Sequence, residues 1–97
     1  MSKGYWVTAY RATKDPSKLA AYAQLALPAV VAAGGKFIVR GLAEEVREHG
    51  LKERTVVIEF PSYEQAVAAY ESEAYKKALE ALGDGAERDL RIVRGAE

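Results

Sequence analysis

Six tyrosines, one tryptophan and two phenylalanines form a large aromatic set for a chain of 97 residues. A buried tyrosine needs a partner for its hydroxyl, so tyrosines that line a cavity can orient a polar group of an aromatic or enone-like ligand. Tyr22, Tyr70 and Tyr75 lie in segments with helical spacing and are our candidates for this role. The alternative, which we favour, is that these rings pack helices onto a sheet and their hydroxyls reach its rim.

Two arginines flank the polar segment 41–53. Guanidinium groups at Arg40 and Arg54 could hold a carboxylate through paired N–H bonds, including the carboxylate of a ligand. Pairing with a nearby acid such as Glu44, Glu45 or Glu53, or with a partner chain, is the more common arrangement. Both interpretations stay open, and Arg40 is retained as a candidate ligand-binding residue.

Glu59 lies between apolar neighbours in a predicted strand, where an unpaired carboxylate would be costly. If the strands on either side of segment 41–53 pair with residue numbers that sum to about 95, Glu59 lies opposite Lys36. We favour a salt bridge between them over a catalytic acid or base. The one histidine, His49, could act as a base, a role that imidazole side chains commonly have in catalysis. Its place beside Gly50 in a charged loop is more typical of solvated surface, which also argues against a haem site.

The composition excludes several classes of function. The 14 Lys and Arg residues balance 14 Asp and Glu residues, so no basic field is present to hold a nucleic acid. Without cysteine there is neither a disulfide nor a thiolate metal site. No phosphate loop is recognisable, and we expect no metal and no cofactor. The longest apolar run, LALPAVVAA, is much shorter than the roughly 20 residues of a membrane span, and no signal sequence is visible. We expect one cytoplasmic domain over residues 1–97.

The elements that must position these side chains are clearest at residues 54–70, RTVVIEFPSYEQAVAAY. The alternation of the first seven residues predicts a strand, which must end at Pro61 because proline has no N–H for a ladder. Ser62 and Gln65 have the spacing of a capping box that opens a helix, with each side chain bound to the backbone N–H of the other. A strand-to-helix junction is therefore predicted at Pro61–Ser62.

The remaining segments complete one pattern. GYWVTAYRA predicts a first strand. Asp15 and Pro16 open a helix that ends at the glycines 34–35, with a kink at Pro28. KFIVR predicts the second strand, the helix from Ser62 bends at Ser72, and DLRIVRG predicts the last strand. The order βαββαβ is the ferredoxin-like α+β fold, with a four-stranded antiparallel sheet in the order 4-1-3-2 and two helices on one face.

Both faces of this sheet carry apolar residues. In the first strand Trp6 and Tyr10 alternate with Tyr5 and Val7, and in KFIVR the side chain of Ile38 is predicted to lie opposite those of Phe37 and Val39. A sheet with one solvated face would show polar residues at alternate positions. The sequence therefore predicts a homodimer in which the two sheets pack face to face.

Three segments carry a resemblance to a known family. KGYWVTAYRATKDPSKLAAYA, GGKFIVRG and GLKERTVVIEFPSYEQAVAAYESEAYKKAL resemble the domain of unknown function 1330 family, over roughly residues 4 to 95. The run ER-x-V-x-I-E-F-P-S and the following S-x-x-Y are the most specific. The family tends to have two glycines after the arginine of the second strand, whereas this chain has Gly41-Leu42.

The resemblance implies a dimeric α+β barrel with a cavity between each sheet and its own helices. It implies no settled reaction. Relatives elsewhere in the superfamily include cofactor-free monooxygenases, lactone isomerases, haem-handling proteins and proteins without known activity, and a shared fold does not transfer chemistry.

Two functions follow as hypotheses. In the first, the chain binds a small aromatic or carbonyl-containing metabolite between helices and sheet, with or without cofactor-free enzyme activity. The second is a non-catalytic homodimeric module. A cavity lined by tyrosines within the usual range of about 300–1,000 Å³ would favour the first. The candidate ligand-binding residues are Tyr22, Arg40, Glu59, Tyr70 and Tyr75.

Overall fold

The computed structural model describes residues 2–96 as a four-stranded antiparallel sheet covered on one face by helices. The elements are β1 (Gly4–Thr13), α1 (Pro16–Ala32), β2 (Lys36–Leu42), β3 (Arg54–Phe60), α2 (Tyr63–Tyr70), α3 (Glu73–Leu82) and β4 (Ala86–Arg94). The strand order β2-β3-β1-β4 is the predicted order. The ferredoxin-like α+β fold is thus confirmed.

The central strand β1 organises the core. Its alternate residues Trp6, Thr8 and Tyr10 are buried on the helix-facing side of the sheet. The Trp6 ring packs against Phe60 and Tyr75, with centroids 5.2 and 4.9 Å apart. The indole N–H of Trp6 donates a 2.7 Å hydrogen bond to the carbonyl oxygen of Ala66. A buried indole N–H without a partner would be costly, so this bond fixes α2 against β1.

Helix α1 begins and ends as the sequence predicts. The Asp15 carboxylate accepts hydrogen bonds from the Ser17 hydroxyl and from the backbone N–H groups of Lys18 and Ser17, and these bonds lower its pKa. The helix continues through Pro28 without a break. It ends before Gly34, whose φ of +93° is a conformation that favours glycine.

The second helical region differs from the prediction. A bend was expected at Ser72, but the chain forms two separate helices, so within residues 2–96 the helix-facing layer has three helices rather than two. Ser72 has an extended ψ of 151° and caps α3 by accepting from the N–H of Tyr75. Its hydroxyl also donates to the carbonyl oxygen of Ala69 at the end of α2. One serine therefore provides a hydrogen-bond partner at both helix ends. It pairs the carbonyl oxygen of Ala69 and the N–H of Tyr75, which an unbroken helix would pair internally.

Strand β2 contains a bulge that the alternation of KFIVR did not reveal. Phe37 pairs with Ile58 but Val39 pairs with Val57, so Ile38 is an extra residue. The expectation that Phe37 and Val39 share a face was therefore wrong, since a bulge shifts the alternation by one residue. The shift puts Arg40 opposite the buried Val56, on the helix-facing side.

Three strands are also longer than predicted. β1 continues to Thr13 and β2 to Leu42, and β4 begins at Ala86 rather than at Asp89. Of the additional residues of β4, Arg88 pairs with Tyr10, whereas Glu87 and Ala86 pair with Ala12 and Thr13 beyond a second register shift. Within residues 2–96 no helix combines the length and the apolar character needed to cross a membrane.

The strand-to-helix junction at Ser62 is confirmed, with one difference. The Ser62 hydroxyl accepts a 3.1 Å hydrogen bond from the backbone N–H of Gln65, as expected. The Gln65 side chain was expected to accept from the backbone N–H of Ser62. Instead its amide oxygen lies 3.3 Å from the Ser62 hydroxyl and accepts from it.

We expect Ser62→Ala to lower the free energy of unfolding by about 1 kcal/mol, within about 0.5–2 kcal/mol, because the N–H of Gln65 loses its acceptor. Ser62→Asp is the matched control, since aspartate also caps helices and should retain most of the stability. Urea denaturation of the three proteins measures both values. Equal stability of Ser62→Ala and the wild type would contradict the capping role.

Candidate functional site

A cavity of about 60 Å³ lies between α1, α3 and the helix-facing side of the sheet. Its walls are mainly apolar and include Trp6, Ala26, Val30, Phe37, Val56 and Ile58. Its polar side chains are Thr8, Tyr10, Tyr22, Arg40, Arg54, Tyr75 and Arg88. If one water needs about 10–15 Å³, this space holds about four to six water-sized groups. It is far below the roughly 300–1,000 Å³ of a pocket for a drug-sized ligand.

Two tyrosines and an arginine form a hydrogen-bonded network at this cavity. The hydroxyl oxygens of Tyr22 on α1 and Tyr75 on α3 are 2.7 Å apart. Arg88 on β4 donates to both, over 3.0 Å to Tyr22 and 3.5 Å to Tyr75. The network therefore joins two helices to the edge strand of the sheet, and it fixes the plane of the guanidinium group.

The network leaves donors for a ligand. The two hydroxyls carry two protons, and the bond between Tyr22 and Tyr75 uses one of them. Arg88 donates to both hydroxyls and has no acceptor of its own, so the second hydroxyl proton remains for another acceptor. A guanidinium group has five N–H donors, of which these bonds use two. The site can thus donate several hydrogen bonds to an oxygen of a bound molecule.

Tyr75 does not supply a base at neutral pH. Its burial raises the pKa far above the usual value for tyrosine, and the adjacent Tyr22 raises it further, while Arg88 lowers it by less. The hydroxyl of Tyr75 is therefore protonated and neutral under physiological conditions. Its chemistry is limited to donating and accepting hydrogen bonds.

Arg88 is the main site residue that sequence reasoning missed. It pairs with Tyr10 across β1 and β4, and its guanidinium carbon lies 4.9 Å from the Tyr22 ring centroid and 5.7 Å from that of Tyr10. The predicted last strand began at Asp89, one residue too late to include it. Leu90 and Ile92 pack against the core. Extending that alternation back by one step would have placed Arg88 on the same face.

Arg40 and Arg54 also line the cavity. The bulge at Ile38 turns Arg40 toward it, and alternation from Val56 places Arg54 there. Arg40 lies over the Phe37 ring at 5.3 Å. Within residues 2–96, neither arginine forms an ion pair with an acid. The structure thus brings Tyr22, Arg40 and Tyr75 of the predicted candidates to one cavity.

Tyr70 has a different environment. Its ring packs against Trp6 and Tyr75, with centroids 5.7 and 5.2 Å apart, and Tyr70 is not part of the cavity wall.

Glu59 lies on the opposite, outer face of the sheet. It pairs with Lys36 in the predicted register, but its carboxylate accepts from the Tyr5 hydroxyl at 3.1 Å and from Lys3 at 3.3 Å. These two bonds lower its pKa. The structure does not bring Glu59 to the cavity.

His49 is exposed and also belongs to the outer face. It borders an open depression of about 330 Å³ together with Arg11 and Asp89. Between residues 2 and 96, no three His, Asp or Glu side chains cluster in a way that could hold a metal ion.

Comparison with known proteins identifies a family and a set of similar folds. The family described as "Domain of unknown function (DUF1330)" matches residues 3–96. No curated protein matches the chain. Solved structures that match include a protein of unknown function from Rhodopseudomonas palustris, with 16% identity, a TM-score of 0.76, and coverage of 99% of this chain and 84% of that one.

Two further structures are similar over most of their length. SnoaB, a cofactor-independent oxygenase from Streptomyces nogalater, has 12% identity and a TM-score of 0.67, with 100% of this chain and 96% of that one covered. A dimeric ferredoxin-like protein of unknown function from Thermobifida fusca has 13% identity and a TM-score of 0.65, with 97% and 92% covered. At these identities the similarity establishes the fold.

We expect Tyr75 to remain un-ionised where ordinary tyrosines titrate, near pH 10. Wild type and Tyr75→Phe should therefore give the same rise in tyrosinate absorbance up to about pH 11. Circular dichroism over the same range controls for unfolding. A smaller rise in the folded variant would mean that Tyr75 titrates and that its burial does not protect the hydroxyl.

Proposed function

Since the chain belongs to the DUF1330 family, whose description names no activity, we propose that it is a homodimeric protein that binds a small carbonyl-containing or aromatic metabolite. The ligand occupies the cavity between α1, α3 and the sheet. The observation that carries this proposal is the Tyr22–Tyr75–Arg88 network, because these residues retain unused donors and line a space with mainly apolar walls. A small number of placed polar groups in an apolar pocket is typical of ligand sites.

The same donors define what chemistry this site favours. A neutral tyrosine and an arginine can stabilise negative charge on a carbonyl oxygen as it develops. The residues of the cavity wall include no histidine, aspartate or glutamate, so within the described chain the wall offers no carboxylate or imidazole as a base. Cofactor-free catalysis here therefore suits a substrate acidic enough to lose its proton to water, with the resulting enolate stabilised by these donors.

A non-catalytic homodimeric module is the second candidate. It is favoured by the small volume of the cavity and by the tight packing around Tyr75, which is fully buried. In that case the network is a structural connection between α1, α3 and β4, and the donors bind water rather than a metabolite.

The outer face of the sheet supports the dimeric part of the proposal. Its side chains include Val7 and Val57 in the central strands, and the more exposed Val39 and Val93 in the edge strands. The related structure from Thermobifida fusca is described as dimeric. Packing two copies through these faces would remove the apolar surface from water.

We expect sedimentation to give about twice the chain mass of 10.6 kDa. Val39→Lys should weaken the dimer because it places a charge on the proposed interface. Val31→Lys is the matched control, since Val31 is 58% exposed on α1 and Val39 is 47% exposed on the outer face. A wild-type monomer at micromolar concentration would contradict the dimer.

We expect at least one small carbonyl or aromatic compound in a metabolite library to raise the melting temperature of the wild type. Tyr75→Phe retains the ring and should weaken that binding by about 0.5–1.5 kcal/mol through loss of a hydrogen bond. Tyr70→Phe is the control, because Tyr70 touches the same ring but lies outside the cavity wall.

If no compound stabilises the wild type, the ligand-binding function fails and the module remains. Tyr75→Ala should lower the free energy of unfolding by about 3–5 kcal/mol under either function, as removal of a buried aromatic does.

A further inference from the structure

Three arginines on three different strands line the cavity, namely Arg40 on β2, Arg54 on β3 and Arg88 on β4. We propose that the cavity is specific for a small carboxylic acid and that Arg88 is the residue that holds its carboxylate. The proposal rests on the ligand-binding function proposed above and names the chemical class of the ligand.

The sheet register brings the three arginines to one end of the cavity. Arg88 lies opposite Tyr10 of β1, and Arg40 lies opposite Val56 of β3. Arg54 is two residues before Val56, at the end of β3 that adjoins segment 43–53. The positive charge is therefore concentrated at the end of the helix-facing side nearest that segment, while Trp6 and Ile58 form apolar walls farther along the strands.

None of the three charges is neutralised within residues 2–96. The ion pairs of this part of the chain use other cations, namely Lys3, Lys14, Lys18, Lys76, Arg91 and Arg94. No aspartate or glutamate belongs to the described wall of the cavity. Arg88 is partly buried, and its hydrogen-bond partners are the neutral hydroxyls of Tyr22 and Tyr75. These bonds satisfy N–H groups but leave a positive charge partly removed from water, which favours an anionic partner.

The tyrosines also orient Arg88 for a planar anion. Its terminal nitrogens bind Tyr22 and Tyr75, and its guanidinium carbon lies over the rings of Tyr10 and Tyr22. Each terminal nitrogen retains a second N–H, and the ε nitrogen retains its own. A guanidinium group fixed in this way can bind a carboxylate through two parallel hydrogen bonds without first losing side-chain freedom.

The volume limits the size of the acid. A cavity of about 60 Å³ accommodates about four to six water-sized groups. The ligand is therefore a short-chain acid, with its carboxylate at the arginines and its carbon chain against Trp6 and Ile58. A carboxylate from a partner chain is the competing explanation for the unpaired arginines. It is disfavoured because Arg88 points toward its own helices and away from the outer face.

The test compares butyrate with butyramide, which have equal numbers of non-hydrogen atoms and differ in charge. Calorimetric titration should show that the wild-type protein binds butyrate about 10-fold or more tightly than butyramide, the ratio expected for a hydrogen bond to a charged group. Inorganic phosphate, measured in parallel, should bind more weakly than butyrate.

Arg88→Gln should abolish the preference for the acid, and Arg88→Lys should restore part of it because the charge returns without the planar fork. Arg94→Gln is the matched control, since Arg94 is on the same strand, lies outside the cavity wall and pairs with Glu64 of α2. If Arg88→Gln does not fold, Arg40→Gln tests the same point, because Arg40 is exposed and its replacement should leave the fold intact. This variant should reduce the preference for the acid by a smaller factor.

Different failures are distinguishable. If butyramide or another neutral carbonyl compound binds as tightly as the acid, the carboxylate proposal is overturned and the ligand-binding function stands. Equal binding of phosphate overturns it as well, since the arginines are then a general anion site. If Arg88→Gln changes the sedimented mass but not the ratio between acid and amide, the counter-ion comes from the partner chain and the proposal fails. If neither acids nor the metabolite library bind, both proposals fail.

Discussion

The buried hydrogen bond from the Trp6 indole to the carbonyl oxygen of Ala66 is the constraint on which the rest of the structure depends. It fixes the distance between the central strand and α2, and the Trp6 ring then determines where the Tyr75 ring can lie. Tyr75 in turn positions Tyr22 and Arg88 through its hydroxyl. A core contact thus sets the geometry of the polar network, because close-packed interiors transmit displacements instead of absorbing them.

The sequence was sufficient for the fold because its signals are local. Pro61 and Ser62 mark the end of β3 and the start of α2, and Asp15 marks the start of α1. Once the helices and strands are known in order, right-handed crossovers leave one strand order, which is the one found. The register between Lys36 and Glu59 was also predictable, since it follows from the length of the segment between the strands.

The site was less predictable because it depends on departures from regular alternation. A bulge at Ile38 moves the side chain of Arg40 from the outer face to the helix-facing side of the sheet. No residue type in KFIVR indicates that bulge. Arg88 lies one residue before the predicted last strand, in a segment that becomes extended through pairing with the end of β1. The partner of Glu59 was missed for another reason. Long lysine side chains exchange partners at little cost, and surface ion pairs contribute little to stability, so the register does not decide between Lys3 and Lys36.

The charged side chains on the two faces of the sheet differ in their partners. On the outer face, Glu59, Asp89 and Arg91 have partners of opposite charge, and the valines between them provide apolar area. On the helix-facing side, Arg88 has only neutral hydrogen-bond partners within the described chain, and the surrounding wall carries no acid. A well-packed apolar residue at this position would avoid the cost of partly desolvating a charge. The arginine is therefore better explained by binding than by stability. The same reasoning favours the ligand-binding function over the module, because structural packing of α1 against α3 requires the tyrosine rings but does not require a cation between them.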